Sequence, residues 1–380
     1  MKPTTVFHMV PGLTGGGLER RMGLIASGMA KRGYDVHIAY LDKGDNYSDL
    51  ELDGVFLHQI KASSNYDIRM LFSLFSVIKK VNADIIHTWS IQMDVIGAVL
   101  SSILKVPWIM MESTSSQAYT DMTWKCRLRN FFARNAILVS NSLSGYTYWC
   151  RRKTIQNHII RNGQQVQRIL DTPSYNRELL PIKDEDKLLL YVGRFNTTAN
   201  DVKNFQTCID AMSLLSSNLP QLKLLVCGDG SERSKWEKKV TEAGLRNKII
   251  FLGYLKREDV WGIMKIADAL ISISFFEGCP NVVQEAMICK CPIIVSDIQG
   301  HREILTETEA ILVDPYSATG VSNAVKTLIA EKNKSGSRVA SAALKAKQWT
   351  IESMLDQYEK LYCELNTTTY STSKTNAKQA

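Results

Sequence analysis

Two successive series of short, β-branched runs alternating with helical patterns constrain this chain more than any other feature. The first half reads TTVFHMV, a helical pattern from about Leu18 to Arg32, DVHIAYL, a helix near Ile68 to Val81, and ADIIHTW. A helix near Asp94 to Leu104, then VPWIMME and AILVSNS, complete it. Parallel strands need a long crossover, usually helical, so this alternation predicts βαβ units and a parallel sheet covered on both faces. KLLLYVGR, LKLLVCGDG, KIIFLGY, ADALISISF and CPIIVSD repeat the pattern in the second half.

With 380 residues the chain exceeds one ordinary core. The segment Asp171 to Asp186 has two prolines, no sustained apolar period and a charged end, which predicts a linker. The expected organisation is an N-terminal Rossmann-like domain over 1–172, a linker over 173–186 and a second Rossmann-like domain over 187–348. A helix over 351–365 could pack back on the first domain, and the Thr/Ser/Lys-rich 366–380 should be disordered. The fold class is therefore α/β, two doubly wound sheets facing across a cleft, with ligands bound at the carboxyl ends of the strands.

Composition narrows the function classes. At 45% hydrophobic and 22% charged, the chain is a soluble globular type. Met1-Lys2-Pro3 runs into a strand pattern rather than a secretory core, and Lys105 and Pro107 interrupt the apolar stretch Val95 to Met111. A cytoplasmic protein is expected, with its eight cysteines reduced and no zinc-like ligand spacing. Net charge is +8, and residues 1 to 180 hold 21 Lys+Arg against 14 Asp+Glu. Within that half, Met122 to Arg168 has basic residues only, Lys125, Arg127, Arg129, Arg134, Arg151, Arg152 and Lys153 among them, interleaved with Trp124, Phe131, Phe132, Tyr146, Tyr148 and Trp149. The pattern fits contact with anionic lipid or another polyanion, or a solvated basic helix face over an aromatic core. No nucleic-acid recognition module is visible.

Candidate chemistry sits in the loops after strands. Gly15-Gly16-Gly17 opens the first helix, where backbone N–H groups could approach an anion or simply make a turn. Arg194 ends the first strand of the second half and Lys203 begins the next helix: two cations for a diphosphate, or surface salt-bridge partners. Glu277-Gly278-Cys279-Pro280-Asn281 leads into a helix carrying Glu285, a second anion-binding terminus. Asp184-Glu185-Asp186 is a solvated charge run rather than a metal motif.

In combination these residues become recognisable. FFEGCPNVVQEAM resembles the E-x7-E signature of the family 4 retaining glycosyltransferases, of GT-B fold, and GR…K before it and G…E after it recur in that family's order. The likeness runs from the glycine loop through Asn141, Arg161-Asn162-Gly163, Gly228-Asp229-Gly230 and Phe251-Leu252-Gly253 to Gly300 and Glu303. It implies a metal-independent transfer of a hexose or N-acetylhexosamine from a nucleotide-sugar, a UDP-sugar first, to a glycan or polyprenyl-diphosphate-linked acceptor in surface polysaccharide biosynthesis. Arg194 and Lys203 would neutralise the diphosphate and Glu285 would bind the ribose. Glu277, with Gly278 to Asn281, would contact the donor sugar. Gly16 and Gly17 join the donor-binding set.

Where many members carry His or Asp at the end of the fourth N-terminal strand, this chain has Met111-Glu112-Ser113-Thr114. That puts Glu112 forward as the first-domain catalytic residue, with His87 as the alternative. No cofactor or metal is expected. Peripheral attachment at the inner face of the membrane is expected through Lys125 to Lys153. A GT-B sugar-nucleotide 2-epimerase and a non-enzymatic polyanion-binding protein are the competing readings.

Overall fold

The computed structural model describes residues 3–44, 47–62, 67–113, 124–152, 156–195 and 202–376. They form two units, Met1–Gly163 with Ile351–Ala380, and Gln164–Thr350.

In the first unit, strands β1 (Thr5–Met9), β2 (Gly12–Leu13), β3 (Asp35–Tyr40), β4 (Asp42–Lys43), β5 (Phe56–Gln59), β6 (Ile85–Thr88), β7 (Trp108–Glu112), β8 (Ile137–Ser140) and β9 (Gln156–Ile159) alternate with helices α1 (Gly17–Lys31), α2 (Arg69–Val81), α3 (Ile91–Leu104), α4 (Trp124–Phe132) and α5 (Leu143–Cys150). Seven strands make one parallel sheet in the order β5-β3-β1-β6-β7-β8-β9. Every residue of β1, β6, β7 and β8 is buried, as a strand covered on both faces requires. Ser90 and Ser142 cap α3 and α5 by accepting from the Met93 and Gly145 N–H groups.

The second unit repeats the scheme with α6 (Val166–Asp171), β10 (Lys187–Val192), α7 (Phe205–Leu215), β11 (Leu222–Cys227), α8 (Arg233–Glu242), β12 (Ile249–Gly253), α9 (Arg257–Ile266), β13 (Ala269–Ser272), α10 (Asn281–Ile288), β14 (Ile293–Ser296), α11 (Gln299–Arg302), β15 (Ile311–Val313), α12 (Ala318–Ala330) and α13 (Lys332–Ala346). Its six parallel strands run β12-β11-β10-β13-β14-β15. Hydrophobic clusters lie on both faces of each sheet.

The last helix, α14 (Ile351–Asn376), belongs to the first unit. Its buried residues Met354, Leu355, Tyr358, Leu361, Tyr362 and Leu365 form a helical stripe in the cluster that also holds Met22, Ile25 and Met29 of α1. A Cβ at Gly28 would stand 2.4 Å from Leu355, so glycine sets how closely α1 and α14 pack. Arg32 ties the same pair from outside through Asp356 (2.7 Å) and Glu359 (2.6 Å).

Three boundaries differ from those read in the sequence. The division falls at Gly163/Gln164, before position 172. Residues 173–186 belong to the second unit, because Leu180 joins Ile169 in its core and the Tyr175 N–H donates to the Gly262 carbonyl at 3.1 Å. The terminal helix continues past 366 to Asn376, since adding a residue to a formed helix fixes few dihedrals per new hydrogen bond. Residues 377–380 lie outside those described. No helix among the described residues is long and apolar enough to cross a membrane.

Candidate active site

In the second sheet the strand order reverses between β10 and β13, so the loops leaving these two strands diverge and open a crevice at their carboxyl ends. Arg194 and Lys203 follow β10, and Glu277 follows β13. Arg194 is exposed and makes no ion pair among the described residues. Lys203 Nζ lies 2.7 Å from Glu277 Oε1, and the Ser274 hydroxyl donates to the same oxygen at 2.6 Å.

Glu277 is 13% exposed. Burial by itself would raise its carboxyl pKa, but the charge of Lys203, the nearby His301 and the two hydrogen bonds outweigh that penalty and hold it below the ordinary carboxylate value. His301 is fully buried. Its Nδ1 stands 2.8 Å from the Ser296 carbonyl, an acceptor, so the ring proton sits on Nδ1. Burial lowers the pKa of this imidazole, against the opposing pull of Glu277. The Ser296 hydroxyl donates to the Ser274 carbonyl at 2.6 Å, joining the ends of β13 and β14. A Cβ on Gly300 would meet the Glu277 carbonyl oxygen at 2.4 Å, so the start of α11 presses directly on the Glu277 backbone.

Gly278 is buried, Cys279 half-buried, and Pro280 forms the N-cap of α10. The positive end of the α10 dipole thus faces the Glu277 loop. Gln164 fixes the helix start by donating to Gln284 Oε1 (2.8 Å) and Asn281 Oδ1 (3.3 Å). Glu285, one turn further, is paired with Arg257 at 2.8 Å, and that guanidinium lies 4.9 Å from the Trp261 ring centroid. The second unit therefore sets Arg194 and Lys203 after β10, Glu277 and the Gly278–Asn281 turn after the neighbouring β13, and Glu285 on the helix that follows. Arg257 and Ser274 were given no role from sequence. Arg257 left no spacing signal there, whereas His301 lies in the loop already marked by Gly300 and Glu303.

The first-unit candidates are placed differently. Gly16 is the N-cap of α1 and Gly17 its first residue. Glu112 and His87, expected to face a substrate, are both fully buried. Arg129 reaches back from α4 to Glu112 (3.0 Å) and Asp94 (2.6 Å), and the Trp149 indole donates to Glu112 at 2.7 Å. Burial pushes the Asp94 carboxyl up to about 6 against the pull of Arg129 and Thr88. This buried ionic cluster pins α3, α4 and α5 to β7. His87 Nδ1 meets the Tyr362 hydroxyl at 3.1 Å and its ring stacks 4.6 Å from Trp89. His8, 5.0 Å away, accepts from the Trp89 indole at 2.9 Å, and burial lowers its pKa to about 3.

The basic stretch also divides. Arg129 is a core residue and cannot meet a lipid surface, because its two carboxylate partners hold it inward. Arg127, Arg134 and Arg151 are exposed. Lys125 lies 5.9 Å from the Trp124 ring centroid, and Arg152 lies 3.6 Å from that of Tyr148 while donating to its carbonyl. Lys153 falls outside the described residues. Trp124, Leu128 and Phe131, at i, i+4 and i+7 of α4, are 56%, 36% and 66% exposed.

Two families match this chain: "Glycosyl transferases group 1" over residues 175–346 and "Glycosyl transferase 4-like domain" over residues 16–140. An uncharacterized glycosyltransferase of Methanocaldococcus jannaschii is 24% identical over 87% of this chain and 90% of its own. The Escherichia coli UDP-Gal:alpha-D-GlcNAc-diphosphoundecaprenol alpha-1,3-galactosyltransferase is 23% identical over 70% of this chain and 71% of its own. Among solved structures, Anabaena HepE in complex with UDP-glucose superposes with a TM-score of 0.82 at 18% identity, covering 95% of this chain and 99% of that one, which establishes a shared fold.

Proposed function

Because the chain belongs to the GT-B, family 4 type of glycosyltransferases and is a transferase enzyme, we propose that it moves a hexose or N-acetylhexosamine from a UDP-sugar to a glycan or polyprenyl-diphosphate-linked acceptor with retention of anomeric configuration. The observation that carries this reading is the Lys203–Glu277 pair at the switch point of the second sheet, where Arg194 also follows β10.

Breaking the sugar–phosphate bond puts negative charge on the departing diphosphate and positive charge at the anomeric carbon. Arg194 and Lys203 stand where the first charge grows, and the ionised Glu277 where the second does. The acceptor oxygen bonds to the anomeric carbon as the carbon–phosphate oxygen bond breaks, and the acceptor proton passes to the departing phosphate. Glu285, oriented by Arg257, holds the ribose. Charge neutralisation by these cations makes a divalent ion unnecessary. The test is acceptor-dependent release of UDP in the presence of EDTA, with the product anomer read by NMR. A metal requirement or an inverted product would refute the mechanism, and release indifferent to acceptor would favour a 2-epimerase.

The same proposal places the acceptor at an anionic membrane surface. Trp124, Leu128 and Phe131 form an exposed apolar stripe on α4, and Arg127 and Arg134 flank it with positive charge. Such a face can insert shallowly while its cations meet lipid phosphates. A role in surface polysaccharide biosynthesis follows from that acceptor class.

A further inference from the structure

The second unit carries an aromatic pair, one ring exposed and the other half-buried, that the donor-site reading does not use. Tyr316, three residues past β15, is 78% exposed, and its ring centroid lies 5.0 Å from that of Phe275 with the planes inclined by 30°. Both residues are anchored. The Phe275 N–H donates to the Val202 carbonyl at 2.9 Å, and the Tyr316 N–H donates to Asp314 Oδ1 at 2.9 Å. The Pro315 carbonyl, one residue before Tyr316, accepts from Asn204 Nδ2 (2.7 Å) and Thr207 Oγ1 (3.1 Å). The backbone of the pair is therefore tied to the segment that carries Lys203. That lysine in turn holds Glu277, two residues beyond Phe275.

Tyr316 reaches from the segment after β15 to Phe275 in the loop after β13. Arg257, which holds Glu285, follows β12 at one edge of the sheet, and Tyr316 follows β15 at the other. Phe275 stands two residues before Glu277, so the pair adjoins the loop proposed to hold the transferred sugar, whereas Glu285 and Arg257, proposed to serve the ribose, lie on α10 and α9.

We infer that Phe275 and Tyr316 form a stacking subsite for a pyranose ring of the acceptor. The C–H face of a pyranose is apolar and slightly positive, the face of an aromatic ring is negative, and stacking leaves the sugar hydroxyls in water. Two rings fixed by their backbones offer this surface with little ordering cost on binding. This inference rests on the glycosyltransferase reading above.

The experiment is saturation-transfer difference NMR with chitotriose and maltotriose as probes, run beside thermal-shift measurements with UDP on wild type, Tyr316→Ala and Tyr316→Phe. Saturation should reach ring C–H protons of at least one probe in wild type, fall more than threefold in Tyr316→Ala, and persist in Tyr316→Phe, with the UDP shift equal in all three. Absent transfer in wild type, or equal transfer in Tyr316→Ala, overturns the subsite while leaving the donor site intact if UDP still stabilises the fold. A UDP shift lost in Tyr316→Ala would place the rings in the donor site and overturn it as well. No UDP shift in wild type strikes the underlying reading instead.

Discussion

Lys203 Nζ and Glu277 Oε1 stand 2.7 Å apart, one carried on the loop after β10 and the other on the loop after β13. The pair makes the carboxylate ionised despite its burial. Replacing Lys203 by Ala should lower kcat by roughly 10² to 10³, the cost of removing one preorganised charge from such a site. It should also raise the Glu277 pKa, so the acid limb of the pH–rate profile moves to higher pH. An unmoved limb would show that Lys203 does not act on Glu277.

Gly300→Ala tests how the Glu277 loop is held. The added methyl would meet the Glu277 carbonyl oxygen at 2.4 Å, and backbone rather than a flexible side chain must yield. The expected result is a folded protein, by circular dichroism, whose kcat falls more than its donor KM rises. Wild-type kinetics would contradict the contact.

Arg129→Ala leaves two buried carboxylates, Asp94 and Glu112, without their cation. Denaturant unfolding should show a loss of about 3 to 5 kcal/mol. The combined change Arg127→Ala with Arg134→Ala should cost little stability.

Flotation with anionic liposomes at low salt separates the two kinds of arginine. Trp124→Ser with Phe131→Ser should reduce binding, and so should Arg127→Ala with Arg134→Ala. If wild type stays unbound, the proposed membrane contact is wrong.

His8 gives a pH dependence of stability. Its folded pKa, about 3, lies below the ordinary value of 6.5, so the unfolded chain binds the extra proton. The stabilisation is present above pH 6.5 and is lost as pH falls toward 3, at about 1.4 kcal/mol per pH unit for one proton. His8→Gln, which keeps an acceptor for the Trp89 indole, should make the decline between pH 6 and 4 shallower by that one-proton share. Buried His87 supplies a second share that remains.

Much of this arrangement was legible in the sequence because fully buried parallel strands leave continuous apolar runs, as in β1, β7 and β10. Among the strands that escaped notice, β5 (FLHQ), β9 (QNHI) and the three-residue β15 lie at sheet edges, are partly exposed or short, and carry no such run, and β2 and β4 are two residues each. Lys203 and Glu277 could be named from their order along the chain, but their pairing depends on the strand reversal between β10 and β13, which no local pattern encodes. The setting of Glu112 was hidden for the opposite reason. Its place at a strand end signals function, whereas its burial is decided by Arg129 from a helix further along the chain.

The central claim, a nucleotide-sugar site built from Arg194, Lys203 and Glu285 without a metal, is tested most directly by thermal shift with UDP-glucose in EDTA, beside GDP- and ADP-sugars. The account predicts a saturable rise in melting temperature with UDP-glucose, lost in Arg194→Ala and Lys203→Ala and weakened in Glu285→Ala. No rise with any of the nucleotide-sugars, or a rise unchanged in all three variants, would contradict it.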